Sequence, residues 1–199
     1  MKLYFASGNE HKKKEMSRLL GGFSLTLPKE EGIVFDPDEN GSTFIENAII
    51  KAKALYSIVK EPVLSDDSGL CVKALSGKPG IHTARYGEEE LKKKLTDKEK
   101  YMFLLKNMEN VEDRSATFVC AICLYLSPER IYVIQEECKG KIALEPVNGD
   151  GGFGYDPVFF NDEAGKIVST LKEGEKDLYS HRGKAARIIK LLLDKELNK

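Results

Sequence analysis

Four short segments of this chain carry residue types suited to phosphate chemistry. The first is Ser7-Gly8-Asn9-Glu10-His11-Lys12, which follows an apolar run and opens a helical stretch. A glycine turn from strand into helix aims backbone N–H groups outward. The helix N-terminus carries partial positive charge, so an anion is stabilised there. Ser7 and Asn9 add side-chain donors and Lys12 adds a full charge. The same residues equally suit an N-capped helix followed by a solvated lysine run, Lys12–Lys14.

The second segment is acidic: Asp66-Asp67-Ser68-Gly69, with Asp36-Pro37-Asp38-Glu39 upstream. Mg²⁺ takes one or two carboxylates and leaves its other positions to water and substrate phosphates. Adjacent Asp66 and Asp67 cannot both face one site if the backbone is extended. One is then a functional carboxylate and the other a structural hydrogen-bond partner. Acidic turns are also simply soluble turns.

The third segment is Gly151-Gly152-Phe153-Gly154-Tyr155-Asp156-Pro157. Three glycines and two aromatics in one loop are costly in conformational entropy. Glycines let a backbone approach a flat ligand, on which Phe153 or Tyr155 could stack; a buried aromatic corner at a sheet edge has the same composition. The fourth is Ser180-His181-Arg182-Gly183, with Lys176 one turn before it. It makes a second positive helix start, where Arg182 offers a fork of donors to a carbonyl or phosphate. N-capping by Ser180 with a surface arginine is the plainer alternative. Taken together, the four segments suit a Mg²⁺-dependent enzyme acting on a nucleoside triphosphate.

Two other patterns point to the core rather than to chemistry. Cys120 and Cys123 form a C-x-x-C, but inside the apolar strand-like run Thr117–Leu126. Positions three apart on a strand face opposite ways, and no second Cys/His pair has ligand spacing. They read as core cysteines. His11 and His82 read as ordinary histidines rather than metal ligands.

The elements that must position these groups follow from periodicity and turn chemistry. A strand is expected at Leu3–Ala6, a helix from Glu10 to Leu20 ending at Gly21-Gly22, and a strand at Phe23–Leu27. Thr43 and Glu46 have capping-box spacing at the start of a helix running to about Val59. Val63–Ser65 and Leu70–Val72 are expected to pair around a turn at Asp66–Gly69. A charged helix covers Glu88–Met108. Two long strands, Ser115–Leu126 and Ile131–Ile142, form a hairpin through Ser127–Arg130. Pro157–Phe160 is a short strand. The last helix runs from His181 to Leu197, with Ala185, Ile188, Ile189, Leu192 and Leu193 on one face. The irregular mixing of elements predicts an α/β or α+β class with a mixed sheet. No P-loop sequence occurs, and no G-x-G-x-x-G follows a strand.

Composition narrows the function classes. The 199 residues are 41% hydrophobic and 32% charged, an ordinary globular balance for one domain spanning 1–199. Lys+Arg number 31 against 32 Asp+Glu, a net charge of −1. That lacks the basic footprint of a bulk nucleic-acid binder. No apolar run is long enough to span a membrane, and the N-terminus is too short in apolar residues for a signal peptide. A cytoplasmic protein is expected. Heavy use of Lys and Glu with little Arg matches hyperthermophile composition.

At these residues the sequence resembles the inosine triphosphate pyrophosphatase family. Six blocks occur in the family's order: Ser7–Lys12, Thr43–Ala52, Asp66–Leu70, Pro79–Tyr86, Gly152–Pro157 and Ser180–Gly183. Ser7 stands where the family often has Thr, and Asp177 where Asn is common. The resemblance implies two lobes around a long, twisted, mixed sheet with the active site in the cleft between them, and a homodimer. It implies hydrolysis of dITP, ITP and XTP to the monophosphate and pyrophosphate, with Mg²⁺ as cofactor and Mn²⁺ as an alternative ion. Asp67 matches the general base and metal-binding carboxylate, and Glu39 a second metal ligand. Ser7, Gly8, Asn9, Glu10, His11, Lys12, Lys51 and Ser68 match substrate-binding positions near the phosphates. Phe153, Gly154, Tyr155 and Asp156 match the nucleoside loop, with Lys176, His181 and Arg182 closing on the base. A donor such as Arg182 or His181 would pair with a 6-oxo group and face a donor clash with adenine. The competing expectations are a Maf-like pyrophosphatase of pyrimidine or modified nucleotides, and a nucleotide-binding protein without turnover.

Overall fold

A computed structural model describes residues 2–149 and 152–197. Gly151 of the expected glycine loop and the preceding Asp150 lie outside the described residues, as do the chain ends of the expected 1–199 domain. Among the described residues the order is β1 (Lys2–Ala6), α1 (Glu10–Leu19), β2 (Ser24–Thr26), α2 (Phe44–Val59) and β3 (Val63–Val72). Then come α3 (Glu88–Leu91), α4 (Asp97–Asn107), β4 (Ser115–Ser127), β5 (Arg130–Ile142), β6 (Phe159–Asn161), β7 (Lys166–Ile167), α5 (Glu173–Tyr179) and α6 (His181–Leu197). The strands form one mixed seven-stranded sheet in the order β2-β1-β3-β4-β5-β6-β7. β1 runs parallel to β2 and β3, while β6 runs antiparallel to β5 and β7. The mixed α/β class expected from the sequence is the class observed. No helix among the described residues is long and apolar enough to cross a membrane.

The chain divides into two compact units: residues 1–67, 120–136 and 182–199, and residues 68–119 and 137–181. The first has its core where Leu3, Phe5 and Leu64 of parallel strands meet Met16 of α1, Leu20 at its C-cap, and Ala185, Ile189 and Leu193 from α6. Those α6 residues recur every four positions, which is the stripe the sequence predicted; Ile188 and Leu192 flank it half-buried. The second unit packs Leu104 of α4 and Met108 at its C-cap with Phe118, Cys138, Tyr155 and Phe159.

Four local expectations are corrected. Val63–Ser65 and Leu70–Val72 are not a pair around an acidic turn: β3 is one ten-residue strand that carries Asp66 and Asp67 in its interior. Buried cationic partners, described below, make that affordable. The charged segment 88–108 is two helices, because Lys92 adopts a left-handed conformation and Thr96 and Glu99 form a full capping box that starts α4. At α2, Thr43 accepts the N–H of Glu46 as expected, but the Glu46 carboxylate accepts from the N–H and hydroxyl of Ser42 instead. Asp156–Val158 is a 3-10 turn, so the following strand starts only at Phe159. Helix α5 was not foreseen; seven residues are too few for a readable 3.6-residue period.

Candidate functional site

The first unit assembles one group of candidate residues. In the order β2-β1-β3, the chain changes sides at β1. Open α/β sheets bind ligands beyond the carboxyl ends of strands at such a point. Register sets what stands there: Ala6 pairs with Ser65, so Ser7 and Asp66 are the next residues on neighbouring strands. Asn9 caps α1 by accepting the Lys12 N–H at 3.1 Å, and Ser7 Oγ accepts the Asn9 N–H at 3.1 Å. The turn Ser7–Asn9 is thereby held rigid with Gly8 and Asn9 exposed. Glu10 and His11 are exposed, and Glu10 pairs with Lys29.

The two-residue period of β3 gives its adjacent aspartates different partners, as extended backbone requires. Asp66 is fully buried. Its Oδ1 accepts from Lys12 Nζ at 2.6 Å and its Oδ2 from Arg182 Nε at 2.7 Å. Arg182 Nη1 donates to Glu15 at 2.7 Å. Burial pushes the Asp66 carboxyl up, but Arg182 and Lys12 outweigh it and hold it well below the usual range. Asp66 is thus the structural carboxylate of the pair.

Asp67 faces a different set. Lys51 Nζ donates to Asp67 Oδ1 and to Glu39 Oε2, both at 2.7 Å. Asn47 Nδ2 donates to Asp67 Oδ2 at 3.4 Å. Asn47 and Lys51 stand four apart on α2, hence on one face. The Asn47 carbonyl in turn accepts the Gly41 N–H at 2.9 Å, which ties the loop bearing Glu39 to the helix. A Cβ at Gly41 would lie 2.7 Å from that Asn47 oxygen, so the residue must be glycine for the close approach. Burial pushes Asp67 above its ordinary value despite Lys51. Burial also pushes Glu39 up, but this more exposed group is pulled net downward by Lys51. Lys51 is raised: its burial is outweighed by the two carboxylates.

Glu39 and Asp67 share the Lys51 ammonium, each 2.7 Å from it. Two close carboxylates, one of them burdened by its charge, suit a small hard cation, and Mg²⁺ needs no more than two from the protein. The donor set therefore fits the expected ion.

The second unit assembles the other candidates. Asp156 Oδ2 accepts the Phe153 N–H and the Lys176 ammonium, each at 2.8 Å. The Lys176 ammonium lies 4.9 Å from the Phe153 ring centre. Gly152 has φ 90°, and a Cβ there would meet Asp156 at 2.6 Å, so the loop requires glycine at this point. Gly154 N–H donates to Asp97 at 2.9 Å. Tyr155 is buried with its hydroxyl on the Thr83 carbonyl at 3.1 Å, leaving Phe153 as the half-exposed aromatic. Burial raises the Tyr155 phenol. His181 is buried and stacks on Phe118 at 4.8 Å with 6° between the planes. Ser68 is half-buried in the same unit.

Asn47 and Glu15 were missed by sequence reasoning. Each had a signal: Asn47 precedes Lys51 by four and Glu15 follows Lys12 by three, both on capped helices. Cys120 and Cys123 are buried and unbridged, and no group of three metal-ligating side chains occurs among the described residues. The Cys120 thiol donates to Asp66 Oδ2 at 3.3 Å. Cys120→Ala is expected to leave metal content and turnover unchanged and to cost about 1 kcal/mol of stability. Mass spectrometry of the native protein and chemical denaturation check this; loss of bound zinc would restore a metal role for the C-x-x-C.

The fold defines a mixed α/β protein whose first unit gathers Lys12, Asp66, Asp67 and Lys51 near a switch point of parallel strands. The chain belongs to the Ham1 family, whose model matches residues 3–191. It is 52% identical over 185 residues to a dITP/XTP pyrophosphatase of Treponema denticola, covering 93% of this chain and 94% of that one. A dITP/XTP pyrophosphatase of Thermus thermophilus is 39% identical over 95% of this chain and 90% of its own. The solved structure of the Staphylococcus aureus Ham1 protein superposes with a TM-score of 0.85 at 33% identity, covering 98% of this chain and all (100%) of that one. The resemblance drawn from the six blocks is borne out.

Proposed function

We propose that this protein is a nucleoside triphosphate pyrophosphatase that hydrolyses dITP/ITP and XTP/dXTP to the monophosphate and pyrophosphate, clearing deaminated purines from the nucleotide pool. The observation that carries the reaction is the Glu39–Lys51–Asp67 arrangement, within the electrostatic reach of Lys12. The substrate class is supported by the names of the relatives.

Hydrolysis between the α- and β-phosphates needs water to approach phosphorus through a shell of negative charge. Glu39 and Asp67 would hold Mg²⁺, or Mn²⁺ in its place, which draws charge from the phosphates and acidifies coordinated water. Asp67 orients the attacking water and accepts its proton; burial raises its basicity for that task. Lys51 and Asn47 keep its carboxylate aimed. The Ser7–Lys12 turn and the Lys12 ammonium take up charge on the leaving pyrophosphate. The base is assigned to Phe153, Gly154, Tyr155, Asp156, Lys176 and His181, with Phe153 as the stacking face. Arg182, held by Asp66 and Glu15, is assigned to the base with His181, either of them donating to the 6-oxo group. Ser68 is placed with the phosphate groups. We take the protein to act as a homodimer, as the family resemblance implies, and in the cytoplasm, as its composition suggests, on small-molecule nucleotides rather than nucleic acid or membrane.

Lys12→Ala is expected to raise KM for triphosphates about tenfold, the scale of one lost charge-assisted hydrogen bond. Initial-rate kinetics check this, and unchanged KM removes Lys12 from the phosphate site. The deciding experiment measures pyrophosphate and phosphate release from ITP, XTP, GTP, ATP and dUTP, with and without Mg²⁺. Mg²⁺-dependent pyrophosphate from ITP and XTP, with little from ATP or GTP, is the expected result. Phosphate release, a pyrimidine preference or no turnover would overturn the assignment.

A further inference from the structure

We infer that Asp97 is a positioning residue for the nucleoside loop: from the first turn of α4 it holds the Gly154 N–H, and with it the orientation of Phe153. This deepens the reading above, in which Phe153 supplies the stacking face, and rests on that reading. Two peptide groups flank the Cα of Phe153. The one before it gives its N–H to Asp156 Oδ2 at 2.8 Å. The one after it is engaged at both ends. Its carbonyl accepts the Asp156 N–H at 3.2 Å, and its N–H, that of Gly154, donates to Asp97 Oδ2 at 2.9 Å. Planar peptides leave only φ and ψ to turn. Fixing both planes therefore fixes the backbone of Phe153, and its ring keeps only a few staggered rotamers. The two bonds with Asp156 lie within the loop, whereas Asp97 stands 57 residues away in the chain.

Gly154 needs such a hold. Its φ is 62°, in the left-handed region that glycine enters and leaves with ease. A Cβ built on it would meet nothing within 4 Å, whereas one on Gly152 would meet Asp156 at 2.6 Å. Close neighbours restrain Gly152 on that side and do not restrain Gly154, so a hydrogen bond from outside the loop takes over there. Asp97 is suited to the task. Thr96 and Glu99 form the full capping box that fixes the backbone at this point, so the carboxylate is presented from a rigid helix start. Its other oxygen, Oδ1, lies 3.9 Å from the Lys100 ammonium. The Asp97 side chain is 53% exposed, so truncating it removes the bond without opening a cavity. Stacking uses the face of a base, which every purine has. Asp97 accordingly strengthens the hold on any nucleotide base and leaves the choice among 6-oxo purines to other residues.

The test uses the full-length protein and its Asp97→Ala, Asp97→Asn and Phe153→Ala variants. Amide hydrogen exchange at Gly154, read by NMR without ligand, reports the bond itself. Asp97→Ala is expected to speed that exchange about fivefold and to raise KM for ITP about fivefold with kcat kept, the scale of one solvent-exposed hydrogen bond. Inhibition by inorganic tripolyphosphate, which has the phosphates but no base, is expected to stay the same. Asp97→Asn keeps a side-chain carbonyl as acceptor and should retain most of the protection and the wild-type KM. In a Phe153→Ala background, Asp97→Ala should add nothing to KM, because the two residues act as one unit. Unchanged Gly154 exchange or unchanged KM in Asp97→Ala overturns the inference. So does an equal weakening of tripolyphosphate, or additivity with Phe153→Ala. If wild type turns over neither ITP nor XTP, the proposed function fails, and Gly154 exchange still decides whether Asp97 holds the loop.

Discussion

Asp67→Asn is expected to lower kcat by about a thousandfold, within the usual range for loss of a general base, while the variant still binds triphosphate. Asparagine keeps the shape of the side chain, so Lys51 retains Glu39 and the loop through Gly41 and Asn47 stays in place. What disappears is the proton acceptor and half of the cation's carboxylate set. Burial raises Asp67 above its ordinary value, so in the wild type the acid limb of kcat/KM should fall at a higher pH than for a solvated aspartate. Initial-rate kinetics across pH, with nucleotide binding measured calorimetrically, check both parts. A variant that keeps its kcat would remove Asp67 from the base role. A variant that loses binding as well would mean that the carboxylate serves the metal more than the water.

Lys51→Met should have the largest effect on stability. Its ammonium lies between two carboxylates, with the lysine side chain 9% and Asp67 11% exposed but Glu39 38% exposed. Removing one partner of a buried ion pair costs about 3–5 kcal/mol. The exposure of Glu39 and the packing retained by methionine reduce that to about 2–3 kcal/mol, or roughly 4–10 °C in Tm for a chain of this size. The pH dependence has a definite sign. Without Lys51 both carboxylates have folded pKa values above their unfolded ones. The loss is therefore absent below about pH 4, where both are protonated in either state, and grows as pH rises. Added Mg²⁺ should recover more Tm in the variant than in wild type, because it supplies the positive charge that the variant lacks. Thermal unfolding at pH 4 and pH 8, with and without Mg²⁺, checks this. A pH-independent loss with no Mg²⁺ response would show that Lys51 acts through packing alone.

Much of the site was legible because its parts are local. A strand ending in Ser7-Gly8-Asn9 and a helix beginning at Glu10 can be read from turn chemistry. The C-terminal helix could be read from Ala185, Ile189 and Leu193 recurring at four-residue intervals. The exclusion of both aspartates from one site followed from the period of an extended chain, before their partners were known. What failed was the acidic turn. Asp66 and Asp67 have turn-forming composition, and only distant cations let them lie within a strand: Arg182 stands 116 residues away from Asp66 in the chain. The partners of Arg182 could not be read either, since nothing near it in sequence reveals Glu15 and Asp66.

The sequence by itself determined most of the longer elements, the helix start at Thr43 and the family. Each depends on residues within a few positions of one another or on blocks that can be matched in order. Only the tertiary structure decided that Asp66 pairs with Lys12 and Arg182, that Lys51 bridges Glu39 to Asp67, and that Tyr155 belongs to the core while Phe153 does not. Those assignments turn on burial and on partners brought together by long-range strand pairing. A charge has no fixed role until its surroundings set the balance between desolvation and attraction.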